Sequence, residues 1–512
     1  MLITKKDIYL FSIFFLLSLI LFYPSFSLAL FGDDWLTLWR YFTNLGANAS
    51  SQWNHLSYFF TSYGPQDILM GLLHKVYGYN SGYYYLTSYL LRTLAALSLF
   101  PLLYYLTKNK LATFFSIGFF LITPIGIETT NWVFNMPSYI AIIFLNIFLY
   151  YFFISRLHPN KLVIAGIFFF LTIISQPIRM HGLLPTILAL ELFWILQNRK
   201  QTILKLVAFR SLIFTLIFIP AVISLEKSPV ATVSSILTYS SSFKLNYILN
   251  PFITLGATII PSDIISSISQ PGSYLLLFIT GIFVIIISVL LLKHFYHQYL
   301  MATAISLSLA LLIFSFILAW WREPYAVFLT THRYLIISAV GSSVLFGLLI
   351  HILKGIKSQI VWFSILIFFA IHAYSTWNYL NLAQNSHSQK ISQKIWASIP
   401  YITQLGENSE PVVFFFLGDG TNEAILHDVI TFGFPPHMGL IYNTFNEDKL
   451  PIPISNPHEL VSAVVDGKSI SAYNRSEGAV PVEKVYAFQL LGRNNLVNIT
   501  EATRKQLLEL KK

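Results

Sequence analysis

Long apolar runs separated by short polar turns dominate the first 380 residues of the chain. A run of about 20 apolar residues is long enough to cross the hydrocarbon core of a bilayer as a helix. The pattern predicts eleven spans, and the shorter ones are typical of tilted or broken helices surrounded by protein. Their predicted bounds are 8–30, 82–106, 111–126, 138–155, 161–177, 183–197, 206–226, 272–293, 299–321, 334–354 and 359–380.

The first apolar run is followed directly by FGDDWLTLWR, residues 31–40. Asp33 and Asp34 therefore lie side by side at the membrane interface, at the start of a second helical pattern. Four apolar residues recur at i, i+3, i+4 and i+7 and predict a short amphipathic helix on the outer membrane surface: Trp35, Leu38, Trp39 and Phe42. An N-cap role would account for one aspartate and leave the other unexplained.

Three predicted outer segments are long: 31–81, 227–271 and 381–512. The first contains the acidic pair and surface helices, and the second is Ser-rich and is interpreted as a partly re-entrant lid. The third regains charge and alternates strand and helix patterns, which predicts a small α/β domain. We therefore expect a transmembrane domain over 1–380 and a tail domain over 381–512. In the tail, 411–419 is predicted as a strand, 421–433 as a helix and Pro435–Gly439 as a turn.

Composition supports a polytopic membrane protein, because 55% of the 512 residues are hydrophobic and only 11% are charged. The net charge of +10 is uneven: residues 1–380 hold 21 basic and 9 acidic residues, and residues 381–512 hold 11 and 13. Topology and anionic lipid explain this basic excess better than nucleic acid does, so no nucleic-acid partner is expected. The absence of cysteine excludes disulfides and thiolate chemistry.

The basic residues also predict the orientation of the chain. Twelve lysines and arginines fall in the short turns on one side of the predicted spans, and seven fall in the longer segments on the other. The positive-inside rule then places the N-terminus inside and the C-terminus outside. We expect a multi-pass protein of the cell (inner or plasma) membrane, with an extracytoplasmic tail.

Acidic residues concentrate in the predicted outer segments, so chemistry is expected there. Two adjacent carboxylates repel, which favours one protonated group or a shared cation. Asp33 or Asp34 could act as a general base. Glu128 is a further candidate acid, cation partner or orienting group, or only a solvated loop residue. Arg92 lies within the second span and needs a partner, for which Glu128 or an aspartate is a candidate.

Four outer residues are candidate ligands of a lipid phosphate: Arg179, Arg322, His332 and Arg333. Guanidinium groups bind phosphate in bidentate fashion and stay charged. The simpler interpretation of each arginine is snorkelling or an ion pair. The sequence leaves the metal requirement open; a divalent cation held by the acids is one alternative.

Four segments resemble the GT-C glycosyltransferases, close to the protein O-mannosyltransferases and the aminoarabinose transferase of lipid A. They are FGDDW, YGPQDILMGLLHKVYGYN, SQPIRMHGLLP and THRYL. The first stands where that group has its acidic pair, and the last is similar to its late Arg-Tyr segment. SQPIRMHGLLP departs from the group, which often has Lys-Gly at this turn. The resemblance covers residues 1–380 loosely and does not include the tail.

The resemblance implies a polyprenyl-phosphate sugar as donor and transfer on the non-cytoplasmic face. It also implies that Asp33 is the base, with Asp34 beside it, and that Arg333 binds the donor phosphate. The function expected is therefore an inverting hexosyl- or pentosyltransferase acting on a glycan, lipid or protein acceptor. Two alternatives stay open: a flippase or transporter of lipid-linked glycans, and an outer-face glycan polymerase or ligase.

Overall fold

The computed structural model describes most of the chain, and its N-terminal three quarters are helical. The described residues are 5–46, 52–198, 201–225, 246–265, 269–315, 330–356, 358–399, 412–420, 422–426, 433–443, 450–468, 470–472, 475–477 and 480–512. The helices up to residue 397 are α1 Lys5–Phe22, α2 Asp33–Tyr41, α3 Gln52–Phe59, α4 Gly64–Tyr77, α5 Ser81–Thr107, α6 Lys110–Ile122, α7 Glu128–Asn131, α8 Pro137–Ile154, α9 Lys161–Ser175, α10 Leu183–Asn198, α11 Gln201–Leu225, α12 Asn246–Ala257, α13 Gln270–His294, α14 Tyr299–Phe314, α15 Ile336–Leu353, α16 Gln359–His387 and α17 Gln389–Ala397.

Each predicted span coincides with an apolar helix of the structure. In the described residues, seven helices are long and apolar enough to cross a membrane, and α6, α9, α10 and α14 are shorter apolar helices. This is the architecture of a multi-pass membrane protein. Within the predicted lid, α12 packs antiparallel on α13 through close approaches of Gly256 to Leu277 and of Gly281 to Phe252. Residues 226–245 of that segment lie outside the described residues.

Contacts between loops define two ends of the helix bundle. At one end, which we call the site end, Leu28 pairs with Ser388, Ser81 donates a hydrogen bond to the Leu28 carbonyl, and Glu128 contacts Arg333. At the opposite end, Lys110 forms an ion pair with Asp7 at 2.8 Å. The predicted outer loops thus share one end. Which end faces the cytoplasm stays a prediction.

Arg92 is fully buried in α5 and has partners that the sequence did not predict. Its guanidinium donates to the carbonyl oxygens of Phe120 at 2.9 Å and Thr123 at 2.6 Å, and more weakly to that of Leu121. The last carbonyls of a helix lack intrahelical donors, so this cation caps the end of α6. The partners of Arg92 are therefore backbone carbonyl oxygens, where the sequence suggested a carboxylate.

The tail contains a four-stranded sheet. The strands of this sheet are β1 Val413–Leu417, β2 Ile452–Ile454, β5 Val485–Leu491 and β6 Asn495–Asn498. Two further strands, β3 Ile470–Ala472 and β4 Arg475–Glu477, pair with each other outside the sheet. The sheet order is β2-β1-β5-β6, with β1 parallel to β2 and β5, and β6 antiparallel to β5. Alternate residues of β1 pack on opposite faces of this sheet, because successive side chains of a strand point to opposite sides.

Three tail helices follow: α18 Phe434–Ile441, α19 Pro457–Val464 and α20 Thr500–Leu510. The predicted turn at Pro435–Gly439 is wrong, because these residues form most of α18, with its prolines in the first turn, where no N–H is needed. Within the range 421–433, predicted as a helix, the described residues include a helical turn at Glu423–Ile425. Residues 427–432 lie outside the described residues.

The tail packs on α2 at the site end. The Trp35 and His437 rings stack with centroids 3.6 Å apart and planes 5° apart. Gly433 has φ +93°, and a Cβ there would lie 2.5 Å from the Gly32 carbonyl oxygen, so only glycine permits this approach. The buried Trp35 and Trp39 of the predicted amphipathic stripe therefore contact α18 of the tail, where the sequence had predicted a helix lying on the membrane surface.

Candidate functional site

Helix α2 directs one of its faces into a cavity of about 190 Å³ at the site end. Asp33, Leu36 and Arg40 lie on this face because residues at i, i+3 and i+7 of a helix are neighbours. The other lining residues come from the start of α4 and the residue before it, from the loops before α8 and α10, and from the turn before α15: Tyr63, Gln66, Phe134, Asn135, Gln176, Arg179, Arg333 and Tyr334. The structure thus brings together segments up to 300 residues apart in sequence.

Asp33 is the acid that lines this cavity. It is partly buried and makes no hydrogen bond to any described residue. Burial raises the pKa of its carboxyl above the ordinary value, and the positive charges of Arg333 and then Arg40 oppose that rise. A carboxylate of raised pKa without a fixed partner is suited to accept a proton from a ligand.

Asp34 has a different environment from its neighbour. It is fully buried, and its two oxygens accept hydrogen bonds from the Phe134 N–H at 2.9 Å and the Phe31 N–H at 3.2 Å. Burial raises the pKa of Asp34 well above its usual range, against the effect of those two bonds. Asp34 is not among the cavity-lining residues. It connects the start of α2 to the loop before α8.

Glu128 reaches Arg333 through a close approach of two loops. Gly126 has φ +68°, and a Cβ there would lie 2.6 Å from the Ile336 backbone. The N–H groups of Gly126 and Glu128 donate to the carbonyls of Thr330 and Thr331. The Glu128 carboxylate then accepts from the Arg333 backbone N–H at 3.2 Å and its guanidinium at 3.4 Å. Burial raises the pKa of Glu128, and Arg333 lowers it.

Arg333 is held in the cavity by contacts on several sides. Its guanidinium lies 4.6 Å from the centroid of the Trp132 ring, a cation–π distance. Its side chain is about one fifth exposed, so part of the guanidinium stays accessible to a ligand. Glu128 lies behind Arg333 and is not among the lining residues. The geometry therefore makes Glu128 an orienting group for Arg333.

Arg179 links the loops around Arg333. It donates to the Arg333 carbonyl at 2.9 Å, to the Thr129 hydroxyl at 3.2 Å and to the Asn135 side-chain oxygen. Burial and the nearby Arg333 charge lower the pKa of Arg179 to about 9, which leaves it cationic at neutral pH. Arg179 thus positions the backbone of Arg333 and adds a second positive charge to the cavity.

His332, another candidate phosphate ligand, is not among the described residues that line the cavity. His332 is buried, and its Nδ1 accepts a hydrogen bond from the Tyr334 N–H at 3.3 Å. Burial, Arg333 and Arg179 lower the pKa of His332 to about 3, so it is neutral and adds no charge for a phosphate. Arg322 lies outside the described residues.

Several site residues gave no signal in the sequence. Arg40 forms a two-pronged ion pair with Asp67 at 2.8 and 3.0 Å, which joins α2 to α4. Three amide side chains of the cavity wall carry a buried polar atom without a protein partner: Gln66 Oε1, Asn135 Nδ2 and Gln176 Oε1. Unpaired buried polar atoms are costly, and these three lie beneath the cavity surface. Isolated amide side chains have no periodicity or motif that could reveal them.

The cavity residues do not fit a divalent cation. Such an ion needs several oxygen ligands, usually with more than one carboxylate. Of the described residues, only Asp33 offers a carboxylate to the cavity, because Asp34 is bonded to backbone and Glu128 to Arg333. In the described part of the chain, no three acidic or histidine side chains lie close enough together to hold a metal ion. Arg179 and Arg333 would also repel a cation.

The fold and site together define a multi-pass membrane protein with one acid and three guanidinium groups in a terminal cavity, and one of those groups, that of Arg40, is paired with Asp67. Solved structures of an archaeal oligosaccharyltransferase from Archaeoglobus fulgidus, AglB, are similar to this chain. The complex with an inhibitory peptide and a dolichol-phosphate is 16% identical, with a TM-score of 0.44, over 95% of this chain and 69% of that one. The form tethered to an acceptor peptide is 15% identical, with a TM-score of 0.45, over 89% and 64%.

A third similar structure, of the same enzyme with Zn and sulfate, is 16% identical, with a TM-score of 0.43, over 94% of this chain and 67% of that one. No protein-family model and no curated protein matches the chain.

Proposed function

We propose that this protein is an inverting glycosyltransferase of the cell membrane. It transfers a hexosyl or pentosyl group from a polyprenyl-phosphate donor to a hydroxyl group of a glycan, lipid or protein acceptor. The reaction takes place on the extracytoplasmic face, which is the side that the basic residues predict for the site end. The donor class is the one that the GT-C resemblance implies.

One observation carries the proposal: Asp33 and two guanidinium groups, those of Arg179 and Arg333, open onto the same small cavity. Glycosyl transfer needs a base for the acceptor and positive charge for the departing phosphate. The cavity supplies both within one polar space. The amide side chains of Gln66, Asn135 and Gln176 line the same cavity and are of the polar type that binds sugar hydroxyls.

In the proposed reaction, the acceptor O–H gives its proton to the Asp33 carboxylate. The freed oxygen attacks the anomeric carbon from the side opposite the phosphate, and the new C–O bond forms as the bond to the phosphate oxygen breaks. The lipid phosphate leaves with the bonding electrons. Arg333, positioned by Glu128 and Arg179, stabilises that negative charge. A single displacement inverts the anomeric configuration.

The direct test is a transfer assay with purified full-length protein and a panel of polyprenyl-phosphate sugars. We expect one donor to be consumed, and Asp33→Asn to lower the rate roughly 10²- to 10⁴-fold, the usual contribution of a general base. Asp7→Asn is the matched control, because Asp7 pairs with Lys110 at the opposite end of the bundle. Arg333→Lys should also reduce turnover, with Arg493→Lys on the exposed tail surface as its control.

Full transfer activity in Asp33→Asn would contradict the assignment of the base. Movement of labelled lipid-linked sugar across liposomes without any covalent product would contradict the whole proposal and favour the transporter. Consumption of lipid-pyrophosphate donors alone would favour the polymerase or ligase.

A further inference from the structure

The third guanidinium group of the acidic cavity, that of Arg40, has no part in the proposed reaction. Arg40 lies on the same face of α2 as Asp33 and lines the cavity together with Tyr63, the residue before α4. Arg179 and Arg333 lie instead in the loops before α10 and α15. The cavity therefore has one wall from α2 and α4 and another from loops, and each wall carries its own positive group.

Arg40 is held in place by a fully buried carboxylate. Its Nε and Nη2 groups donate to the two oxygens of Asp67 at 3.0 and 2.8 Å, in the bidentate geometry that guanidinium favours. The Tyr58 hydroxyl donates to the same carboxylate at 2.6 Å. Neither Asp67 nor Tyr58 is among the described residues that line the cavity. Both therefore act on the cavity through Arg40.

One nitrogen of this guanidinium remains available to a ligand. Arginine has five N–H groups, and those of Nε and Nη2 point at Asp67 or, at 3.4 Å, at the Thr37 hydroxyl. No described residue accepts a hydrogen bond from the two N–H groups of Nη1. The Arg40 side chain is 22% exposed, and Nη1 is not one of the buried polar atoms that lack a partner. Nη1 is thus an accessible donor on a lining residue.

The charge of Asp67 determines what kind of group Nη1 can bind. The Arg40–Asp67 pair carries no net charge, and the Asp67 carboxylate would repel a second anion beside Arg40. Arg179 differs, because its hydrogen bonds to described residues all go to uncharged oxygens. A phosphate is therefore better stabilised at the wall that holds Arg179 and Arg333. Nη1 of Arg40 is suited to an uncharged oxygen, such as that of a hydroxyl group.

The size of the cavity brings the sugar of the proposed donor to Arg40. The volume of about 190 Å³ corresponds to about six water molecules at roughly 30 Å³ each, which is the scale of one monosaccharide unit. A sugar bonded to a phosphate at Arg333 would fill most of this space. Its hydroxyl groups would then reach the wall formed by α2 and α4.

We propose that Arg40 is a specificity-determining residue that donates hydrogen bonds from Nη1 to a hydroxyl oxygen of the donor sugar. Asp67 and Tyr58 are positioning residues, which fix the plane of the guanidinium group. The identity of the ligand, a polyprenyl-phosphate sugar, rests on the proposed function. The inference goes beyond that function because it separates recognition of the sugar, by Arg40, from stabilisation of the phosphate, by Arg179 and Arg333.

The test measures binding and needs no turnover. Full-length protein in lipid nanodiscs is titrated with polyprenyl-phosphate hexoses and pentoses, and with a polyprenyl methyl phosphate as a sugar-free ligand of equal charge. Arg40→Lys keeps a cation for Asp67 and removes Nη1. We expect it to weaken binding of the best sugar-bearing lipid about tenfold or more, the effect of losing a hydrogen bond to a charged group. Binding of the methyl phosphate should be unchanged.

Three further variants give this result its meaning. Arg333→Lys should weaken both ligands alike, because Arg333 binds the phosphate that they share. Arg493→Lys, on the exposed tail surface, is the matched control and should bind both ligands as the unaltered protein does. Tyr58→Phe leaves the cavity lining intact and removes one hydrogen bond to Asp67. It should weaken binding of the sugar-bearing lipid alone, by a smaller factor than Arg40→Lys.

Equal loss of both ligands in Arg40→Lys would overturn the inference, and so would unchanged binding of the sugar-bearing lipid. A methyl phosphate that binds the unaltered protein as tightly as every sugar-bearing lipid would overturn it as well. If Arg40→Lys does not fold, the ratio of the two affinities in Tyr58→Phe decides, and an unchanged ratio contradicts the inference. Selective loss of sugar binding without any transfer by the unaltered protein would refute the proposed reaction and leave the assignment of Arg40 intact.

Discussion

Asp33 and Asp34 are neighbours in sequence with opposite surroundings. Asp33 opens onto a cavity with two guanidinium groups, whereas Asp34 accepts two backbone N–H groups inside the protein. Helical geometry separates them, because consecutive residues point about 100° apart. One carboxylate is therefore available for proton transfer, and the other maintains the loop that forms the cavity wall.

The raised pKa of Asp33 predicts the acid limb of the pH–rate profile. Only the ionised carboxylate can accept a proton, so the rate should fall about tenfold per unit as the pH drops below its pKa. Because burial raises this pKa above the ordinary 3.8, the midpoint of that limb should lie above 3.8. Initial rates from pH 4 to 8, with donor saturating, measure it. A rate independent of pH over that interval would contradict Asp33 as the base.

The substitution Asp34→Asn should lower the free energy of unfolding, whereas Asp33→Asn should lower the transfer rate. A carboxamide has one acceptor oxygen, so either the Phe31 or the Phe134 N–H would lose its partner and face an NH₂ group. We expect a loss of about 1–3 kcal/mol in the free energy of unfolding. Thermal unfolding in detergent measures it, with Asp33→Asn as the matched control that should melt as the unaltered protein does. Equal melting temperatures in both variants would contradict this role.

The sequence predicted Asp33, Glu128, Arg179 and Arg333 as site candidates, because the alternation of spans places their loops at one end. The residue pattern alone did not distinguish Asp33 from Asp34, and only the GT-C resemblance implied Asp33 as the base. The contact that separates the two, the Phe134 N–H, is 100 residues away in sequence. The sequence also left Glu128 without a defined role, which the contact with Arg333 supplies. Long-range contacts of this kind have no local pattern.

Helix α2 is the element that organises the site end. Its polar face lines the acidic cavity, and its aromatic face packs on the tail. The amphipathic pattern predicted this helix correctly. It gave the wrong partner for the apolar face, because periodicity shows that a face is buried and does not show whether lipid or protein covers it.

The loop containing Gly126 is the element that brings Glu128 to Arg333. Gly126→Ala places a methyl group 2.6 Å from the Ile336 backbone at φ +68°, so we expect a loss of about 1–3 kcal/mol in stability. Transfer should also fall, because Arg333 would lose its position. Gly355→Ala is the control, since nothing lies within 4 Å of a Cβ there. Unaltered melting and transfer in Gly126→Ala would contradict this account.

For the whole molecule, the positive charge at the site comes from the chain itself. Arg179 and Arg333 line the same cavity as Asp33, and the described acids offer a poor ligand set for a cation. The protein should therefore stabilise a departing phosphate with guanidinium groups alone.

This charge arrangement predicts that chelation leaves transfer intact. Initial rates measured with excess EDTA should match those measured with added Mg²⁺ or Mn²⁺, within about twofold. Arg333→Lys should remain impaired in all three conditions, because an ammonium group lacks the bidentate geometry. Loss of activity with EDTA that Mn²⁺ restores would show that a metal ion acts at the site.

The contact between Gly32 and Gly433 has a consequence for how such proteins can be recombined. It joins the residue just before the acidic pair to the residue just before α18, with no room for a methyl group at Gly433. A tail borrowed from another protein would therefore need its own glycine at that junction, or it would displace the very peptide that carries Asp33. Exchanging this domain between proteins therefore means transplanting that glycine along with it.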